Sequence, residues 1–162
     1  THFSFSFVRN PFDRLVSAYN NKILELDDVP GPMQAMGLSH GMSFTDFLKC
    51  IAATMDAAID VHLLPQSSIL CLDGQLIPSF IGRLETMETD WQRLETRLKQ
   101  ERLPPLGHLP EKNRRRGDDH TDVSQYFADS GLVQLVVERY SDDLGLFYGD
   151  VNLEVLSRGQ LS

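Results

Sequence analysis

The chain opens with strict alternation of apolar and polar residues. Phenylalanine occupies positions 3, 5 and 7, while histidine or serine occupies positions 2, 4 and 6. Alternation with a period of two is typical of a β-strand, because successive side chains point to opposite faces of a sheet. We therefore predict a strand over residues 2–8, which ends at Arg9.

A helix is predicted directly after this strand. Asn10 is a favourable N-cap, Pro11 suits the first helical position because its missing N–H costs nothing there, and Asp13 completes a capping box. Apolar residues then recur at helical spacing as far as Leu26. Arg9 consequently lies where a strand turns into a helix.

The rest of the pattern predicts alternating helices and strands. Residues 27–41 are interrupted by Pro and Gly and predict an irregular connection, and residues 103–121 predict a charged loop. The further predicted elements are a helix over 43–59, a strand over 76–81, a helix over 86–98 and a last helix over 123–140, followed by a weakly structured tail after 147. Such alternation favours an α/β fold with a parallel sheet.

Composition narrows the class of protein. The chain has 162 residues, of which 41% are hydrophobic and 23% charged, as expected for one globular domain. A formal net charge of −8 argues against broad nucleic-acid binding, which needs a basic surface. The sequence has no apolar run near the ~18 residues that span a bilayer and no signal-peptide pattern at its start. Any anion site must therefore be local.

The junction at Arg9 has the chemistry of such a local site. In open α/β folds ligands bind beyond the carboxyl ends of the strands, where a helix N-terminus offers free N–H groups. Arg9 could bind a phosphate there, and Ser17, two turns along the predicted helix, could supply a second donor. In the alternative interpretation Arg9 pairs with a carboxylate such as Asp13, and Ser17 is only a small exposed residue.

Four segments, in order, resemble one family. They are FVRNPFDRLVSAY at 7–19, DVHLLPQSSILC at 60–71, FIGRLETMETDW at 80–91 and ERYSDDLGLFYG at 138–149. The first is similar to the 3′-phosphate-binding signature of the sulfotransferase superfamily. The others resemble the His-x-x-Pro-Gln segment, the strand-to-helix segment with a central glutamate and the Tyr-x-x-Asp ending of its carbohydrate sulfotransferases, the group of the chondroitin 4- and HNK-1 sulfotransferases.

This resemblance implies a fold and a reaction. The fold is a single α/β domain over residues 1–162, a P-loop-NTPase-like sulfotransferase fold with a parallel sheet flanked by helices. The reaction transfers a sulfuryl group from 3′-phosphoadenosine 5′-phosphosulfate to a hydroxyl of a carbohydrate or related acceptor, without a metal. Arg9 and Ser17 would bind the 3′-phosphate of that donor. The alternative function is a non-catalytic nucleotide-binding or interaction module that keeps only this half-site.

One part of the family pattern is missing. Family members carry, before the 3′-phosphate signature, a strand, loop and helix that bind the 5′-phosphosulfate, and the 162 residues contain no such Gly-rich loop with a lysine. We therefore expect the chain to be the C-terminal part of the domain without its first β-loop-α unit, and to be inactive alone. Membrane attachment would come only through an absent N-terminal anchor. The compartment would be the cytoplasm in a bacterium and the Golgi lumen in a eukaryote.

Two residues are candidates for the base that removes the acceptor proton. His62, in the predicted loop after a helix, is the first, and Glu85 is the second. The alternatives are a packed histidine bonded to the backbone and a structural ion pair between Glu85 and Arg83 or Arg14.

The only basic run of this acidic chain offers a further phosphate contact. Arg115, Arg116 and Gly117 resemble in type the basic loop that closes over the 3′-phosphate in some cytosolic sulfotransferases. A contact to an acidic glycan acceptor and a solvated loop are the other interpretations of this run.

Overall fold

The computed structural model describes residues 2–108 and 122–161. Its strands are β1 (Phe5–Val8), β2 (Cys71–Leu72), β3 (Gln75–Leu76) and β4 (Phe80–Arg83). Its helices are α1 (Pro11–Ala18), which continues as a π-helical segment (Tyr19–Glu25), α2 (Gly31–Ala35), α3 (Phe44–Ala53), α4 (Gln66–Leu70), α5 (Met87–Gln100), α6 (Val123–Tyr126), α7 (Ser130–Arg139), α8 (Ser141–Tyr148) and α9 (Leu153–Ser157).

The first and last strands form a small parallel sheet. β1 pairs with β4 in a register that places Val8 opposite Arg83. The N–H of Leu84 continues the ladder by donating to the carbonyl of Val8 over 2.9 Å. Parallel strands end at the same edge of a sheet, so Arg9 and the residues after Arg83 meet there. The prediction of a mixed α/β fold with a parallel sheet is confirmed at this level.

The start of α1 is confirmed, but the predicted capping box is wrong. The N–H of Phe12 donates to Asn10 Oδ1 over 3.1 Å, and Pro11 takes the first helical position. Asp13 does not accept the backbone N–H of Asn10. It accepts the side-chain amide Nδ2 of that residue at 2.8 Å, because the backbone N–H donates instead to Glu85 Oε1 at 2.6 Å.

Several predicted elements have other bounds in the structure. The predicted strand over 76–81 is divided between β3 and β4, because Pro78 has no N–H for a ladder. The helix predicted over 43–59 already ends at Ala53. The helix predicted over 123–140 breaks before Asp129, whose side chain accepts the N–H of Gly131 at 2.7 Å and starts a new helix. The tail predicted to be weakly structured contains α9.

Helix α1 lies at the centre of the hydrophobic core. Its buried face carries Phe12, Leu15 and Val16, which belong to one cluster with buried side chains of α3 and α7. The ring of Phe12 meets that of Phe127 edge to face, with centroids 4.9 Å apart. Because α1 is fixed by this packing, the side chains at its N-terminus are held in place. No helix in the described ranges is long and apolar enough to cross a membrane.

A buried carboxylate joins α8 to α4. The Asp143 side chain is 0% exposed. Its Oδ2 accepts the N–H of Gln66 at 2.8 Å, and its Oδ1 accepts the N–H of Ser67 at 2.7 Å. These N–H groups stand at the start of α4 and have no partner inside the helix. Asp143 therefore caps α4 from a distant segment.

We predict that Asp143→Ala destabilises the protein by ~1.5–3 kcal/mol, because the buried N–H of Ser67 and the partly buried N–H of Gln66 lose a charged acceptor. Asp142→Ala is the matched control, since its side chain is exposed one position away. The free energy of unfolding in urea measures both. Equal effects of the two variants would contradict the role given to Asp143.

Candidate active site

The backbone of Arg9 is held by one side chain. Gln66 Oε1 accepts the N–H of Arg9 at 2.9 Å, and Gln66 Nε2 donates to the carbonyl of Arg9 at 2.8 Å. Gln66 Nε2 also lies 3.4 Å from Asp143 Oδ2. The amide thus satisfies both backbone groups of the residue at which β1 ends, and it fixes the point from which the Arg9 side chain leaves the backbone.

The side chain of Arg9 has no hydrogen bond or ion pair with any residue in the described ranges. The alternative pairing with Asp13 is not formed as an ion pair, although the two charges influence each other. Ser17, near the end of α1, likewise has no side-chain hydrogen bond within these ranges. Both side chains are half-buried, and their donors have no protein partner in the described ranges.

Asp13 lies between the two predicted phosphate ligands along α1. Burial raises the pKa of the Asp13 carboxyl, the positive charge of Arg9 lowers it in part, and the carboxylate of Glu85 raises it again. The net shift is upward from the ordinary 3.8. The folded protein therefore favours the neutral form of Asp13 more than the unfolded chain does.

Glu85 connects the end of β4 to the start of α1. Besides the N–H of Asn10, it accepts the hydroxyl of Tyr148 on Oε2 at 3.0 Å. Burial raises the pKa of Tyr148, and the adjacent carboxylate raises it further. The ion pair of Glu85 suggested as an alternative is not formed, because Arg83 pairs with Asp150 and lies over the ring of Tyr148 at 5.0 Å.

His62 forms a dyad with Asp60. Its Nδ1 lies 2.7 Å from Asp60 Oδ1, which also accepts the backbone N–H of His62 at 2.8 Å. The Asp60 side chain is 6% exposed and the His62 side chain 58% exposed. A carboxylate at Nδ1 favours the tautomer with the proton on that nitrogen, which leaves Nε2 as a proton acceptor. The arrangement suits a general base that faces solvent or a substrate.

The structure does not describe the remaining predicted site residues. Arg115, Arg116 and Gly117 lie outside the described residues. Within the described residues, no group of three or more His, Cys, Asp or Glu side chains could hold a metal ion.

The residues that sequence reasoning missed are Asp60, Gln66, Asp143 and Tyr148. All four fall inside the segments that carry the family resemblance, which was the signal that could have identified them.

Comparison with known proteins agrees with these four segments. A model described as the sulfotransferase family matches residues 1–149. The chain belongs to the sulfotransferase family. The chain is also similar to human carbohydrate sulfotransferase 14, with 26% identity over 164 aligned positions, which cover 90% of the chain and 42% of that protein. The chain thus spans less than half the length of that relative. No solved structure gives a significant match. The resemblance drawn from the sequence is confirmed.

The raised pKa of Asp13 predicts a pH dependence of stability. A carboxyl with a raised folded-state pKa contributes stability below 3.8, and this contribution is lost as the pH rises through the folded-state pKa. Asp13→Asn removes that loss and keeps an oxygen for Asn10 Nδ2. The variant should therefore gain stability relative to the wild type as the pH rises from 4 to 7.

Urea unfolding at several pH values measures this difference. Asp28→Asn, at an exposed position, serves as the control for loss of a negative charge. Parallel pH profiles of wild type and Asp13→Asn would show that Asp13 has no raised pKa.

Proposed function

We propose that the protein transfers a sulfuryl group from 3′-phosphoadenosine 5′-phosphosulfate to a hydroxyl of a carbohydrate acceptor. The observation that carries the proposal is the Arg9 guanidinium, which has no protein partner in the described ranges although its backbone is held on both sides by Gln66. A half-buried cation without a partner at a strand end is suited to an anionic ligand. Membership of the sulfotransferase family supports this donor.

The donor would bind through its 3′-phosphate. In this proposal Arg9 donates charge-assisted hydrogen bonds, Ser17 adds its hydroxyl, and the N-terminus of α1 contributes its positive dipole end. Arg115, Arg116 and Gly117 are proposed, on their sequence alone, as a second contact to the same phosphate. The upward shift of the Asp13 pKa supports the site, since it favours the neutral carboxyl, which does not repel an anionic ligand.

His62 would activate the acceptor. The acceptor hydroxyl gives its proton to Nε2 while its oxygen bonds to the sulfur, and the bond from sulfur to the 5′-phosphate oxygen breaks. The products are the sulfated acceptor and adenosine 3′,5′-bisphosphate. Asp60 would stabilise the imidazolium formed in this step, because its buried carboxylate already lies 2.7 Å from Nδ1.

Glu85 is the weaker candidate for the base. Both of its oxygens are engaged, one by a backbone N–H at 2.6 Å and the other by the hydroxyl of Tyr148 at 3.0 Å. Proton transfer to Glu85 would break a contact that holds the start of α1. We therefore assign Glu85 to positioning the phosphate site and His62 to catalysis.

The acceptor class rests on the relative. Human carbohydrate sulfotransferase 14 is a carbohydrate sulfotransferase by name, and its similarity covers 90% of the chain. A non-catalytic module that only binds a nucleotide is the competing function. The His62–Asp60 dyad favours the enzyme, because binding the nucleotide alone does not need a base.

The donor site is tested by Arg9→Ala. We expect this variant to weaken binding of adenosine 3′,5′-bisphosphate by ~1.5–3 kcal/mol and to leave adenosine 5′-monophosphate binding nearly unchanged, because only the first ligand has a 3′-phosphate. Calorimetry measures both affinities. Arg97→Ala removes an exposed arginine of α5 and is the matched control. Equal losses for the two nucleotides would contradict the assignment.

The base is tested by His62→Ala in a sulfate-transfer assay with the intact protein. We expect turnover to fall by ~10²–10⁴ with donor affinity unchanged, because general base catalysis is lost and phosphate binding is not. His40→Ala is the control, since that exposed ring bonds the carbonyl of Leu26 and no other group in the described residues. A folded His62 variant that loses less than about tenfold would remove His62 from the mechanism.

A further inference from the structure

Arg14 of α1 reaches across to the loop that carries His62. Its Nη1 donates to the carbonyl of Leu64 at 2.6 Å, and its Nη2 donates to the carbonyl of Val61 at 3.2 Å. The two acceptors lie on either side of His62 and Leu63. One guanidinium therefore spans the segment that holds the proposed base.

Other contacts hold the N–H groups and the central carbonyl of this loop, and the N–H of His62 donates to Asp60 Oδ1 at 2.8 Å. The N–H groups of Leu63 and Leu64 both point to one acceptor, the carbonyl of Asp60, at 2.9 and 3.0 Å. The hydroxyl of Tyr140 donates to the carbonyl of Leu63 at 2.6 Å, and the Leu63 side chain is buried. The carbonyls before and after these residues depend on Arg14. Without it, two loop carbonyls lose their protein donors.

Only arginine can make this contact. Its planar guanidinium offers donors in a fixed fork, so Nη1 and Nη2 can serve two carbonyls at once. A lysine ammonium at the same position is a single point of charge and cannot hold both acceptors in one geometry. Burial lowers the pKa of Arg14, while the hydroxyl of Tyr140 and the carboxylate of Asp143 raise it in part. The Arg14 side chain is half-buried.

The same helix carries Ser17, and it begins two residues after Arg9, the other proposed phosphate contact. Arg14 lies three positions before Ser17 on α1 and five positions after Arg9. We propose that Arg14 is a positioning residue, which fixes His62 at a set distance from the donor by tying the His62 loop to the phosphate-binding helix. This inference rests on the proposed function, since it requires His62 to be the base.

Hydrogen exchange tests the anchor without any assay of activity. In Arg14→Lys, which keeps the charge, the amides of Leu63 and Leu64 should exchange about tenfold faster or more than in the wild type, because the loop opens locally. Arg83→Lys is the matched control, since it removes another arginine-to-carbonyl bond, to Phe147 at 2.9 Å, away from the loop. Unchanged exchange in Arg14→Lys would overturn the proposal.

A double-mutant cycle tests the link to catalysis. Arg14→Lys should lower kcat by ~10–100-fold, as expected when a catalytic group is displaced by about an ångström, with the affinity for adenosine 3′,5′-bisphosphate unchanged. In the His62→Ala background the same change should cause no further loss, because Arg14 acts only through His62.

The possible results distinguish a failure of the positioning role of Arg14 from a failure of His62 as the proposed base. If Arg14→Lys lowers kcat by the same factor with and without His62, the positioning role is overturned and His62 remains the base. If His62→Ala retains full turnover, the proposed base is overturned and the positioning role with it. Arg14→Lys is preferred to Arg14→Ala for these tests, because it retains the positive charge of the half-buried side chain.

Discussion

The buried carboxylate of Asp143 is the interaction on which the candidate site depends. It accepts two backbone N–H groups at the start of α4 and so fixes the position of Gln66. Gln66 in turn holds both backbone groups of Arg9. A side chain of α8 thereby sets the geometry of the residue where β1 ends. A buried charge is tolerated only when its lone pairs are satisfied, and here the amide groups of α4 meet that need.

Side-chain contacts supplement the strand pairing at the end of β1. The described residues place only β4 beside β1, so the backbone at the end of β1 has one strand to bond with. The amide of Gln66 pairs with the N–H and carbonyl of Arg9 as an adjacent strand would. Glu85 does the same for the N–H of Asn10 and is held in turn by Tyr148. The segments around Gln66, Glu85 and Tyr148 thus stabilise the backbone of Arg9 and Asn10.

Local patterns predicted the parts of the fold that local forces decide. The alternation with a period of two predicted β1. Asn10 and Pro11 predicted the start of α1, because capping involves only neighbours in sequence. The end of α3 and the break before α7 were missed, since apolar spacing continues past both points. The partners of Glu85, Gln66 and Asp143 lie tens of residues away. No propensity or spacing rule specifies such pairs; only the family resemblance singled out their segments.

The electrostatics around Arg9 are compatible with the proposed anion site in an acidic chain. With a formal charge of −8, the protein repels anions at long range, so affinity must come from a cation at short range. The two carboxyl groups near Arg9 compete only weakly with a phosphate for its guanidinium. Burial favours the neutral form of Asp13, and the oxygens of Glu85 are occupied by the Asn10 N–H and the Tyr148 hydroxyl. Arg9 therefore keeps its positive charge uncompensated by an ion pair within the described residues, which is the condition that a tightly bound phosphate requires.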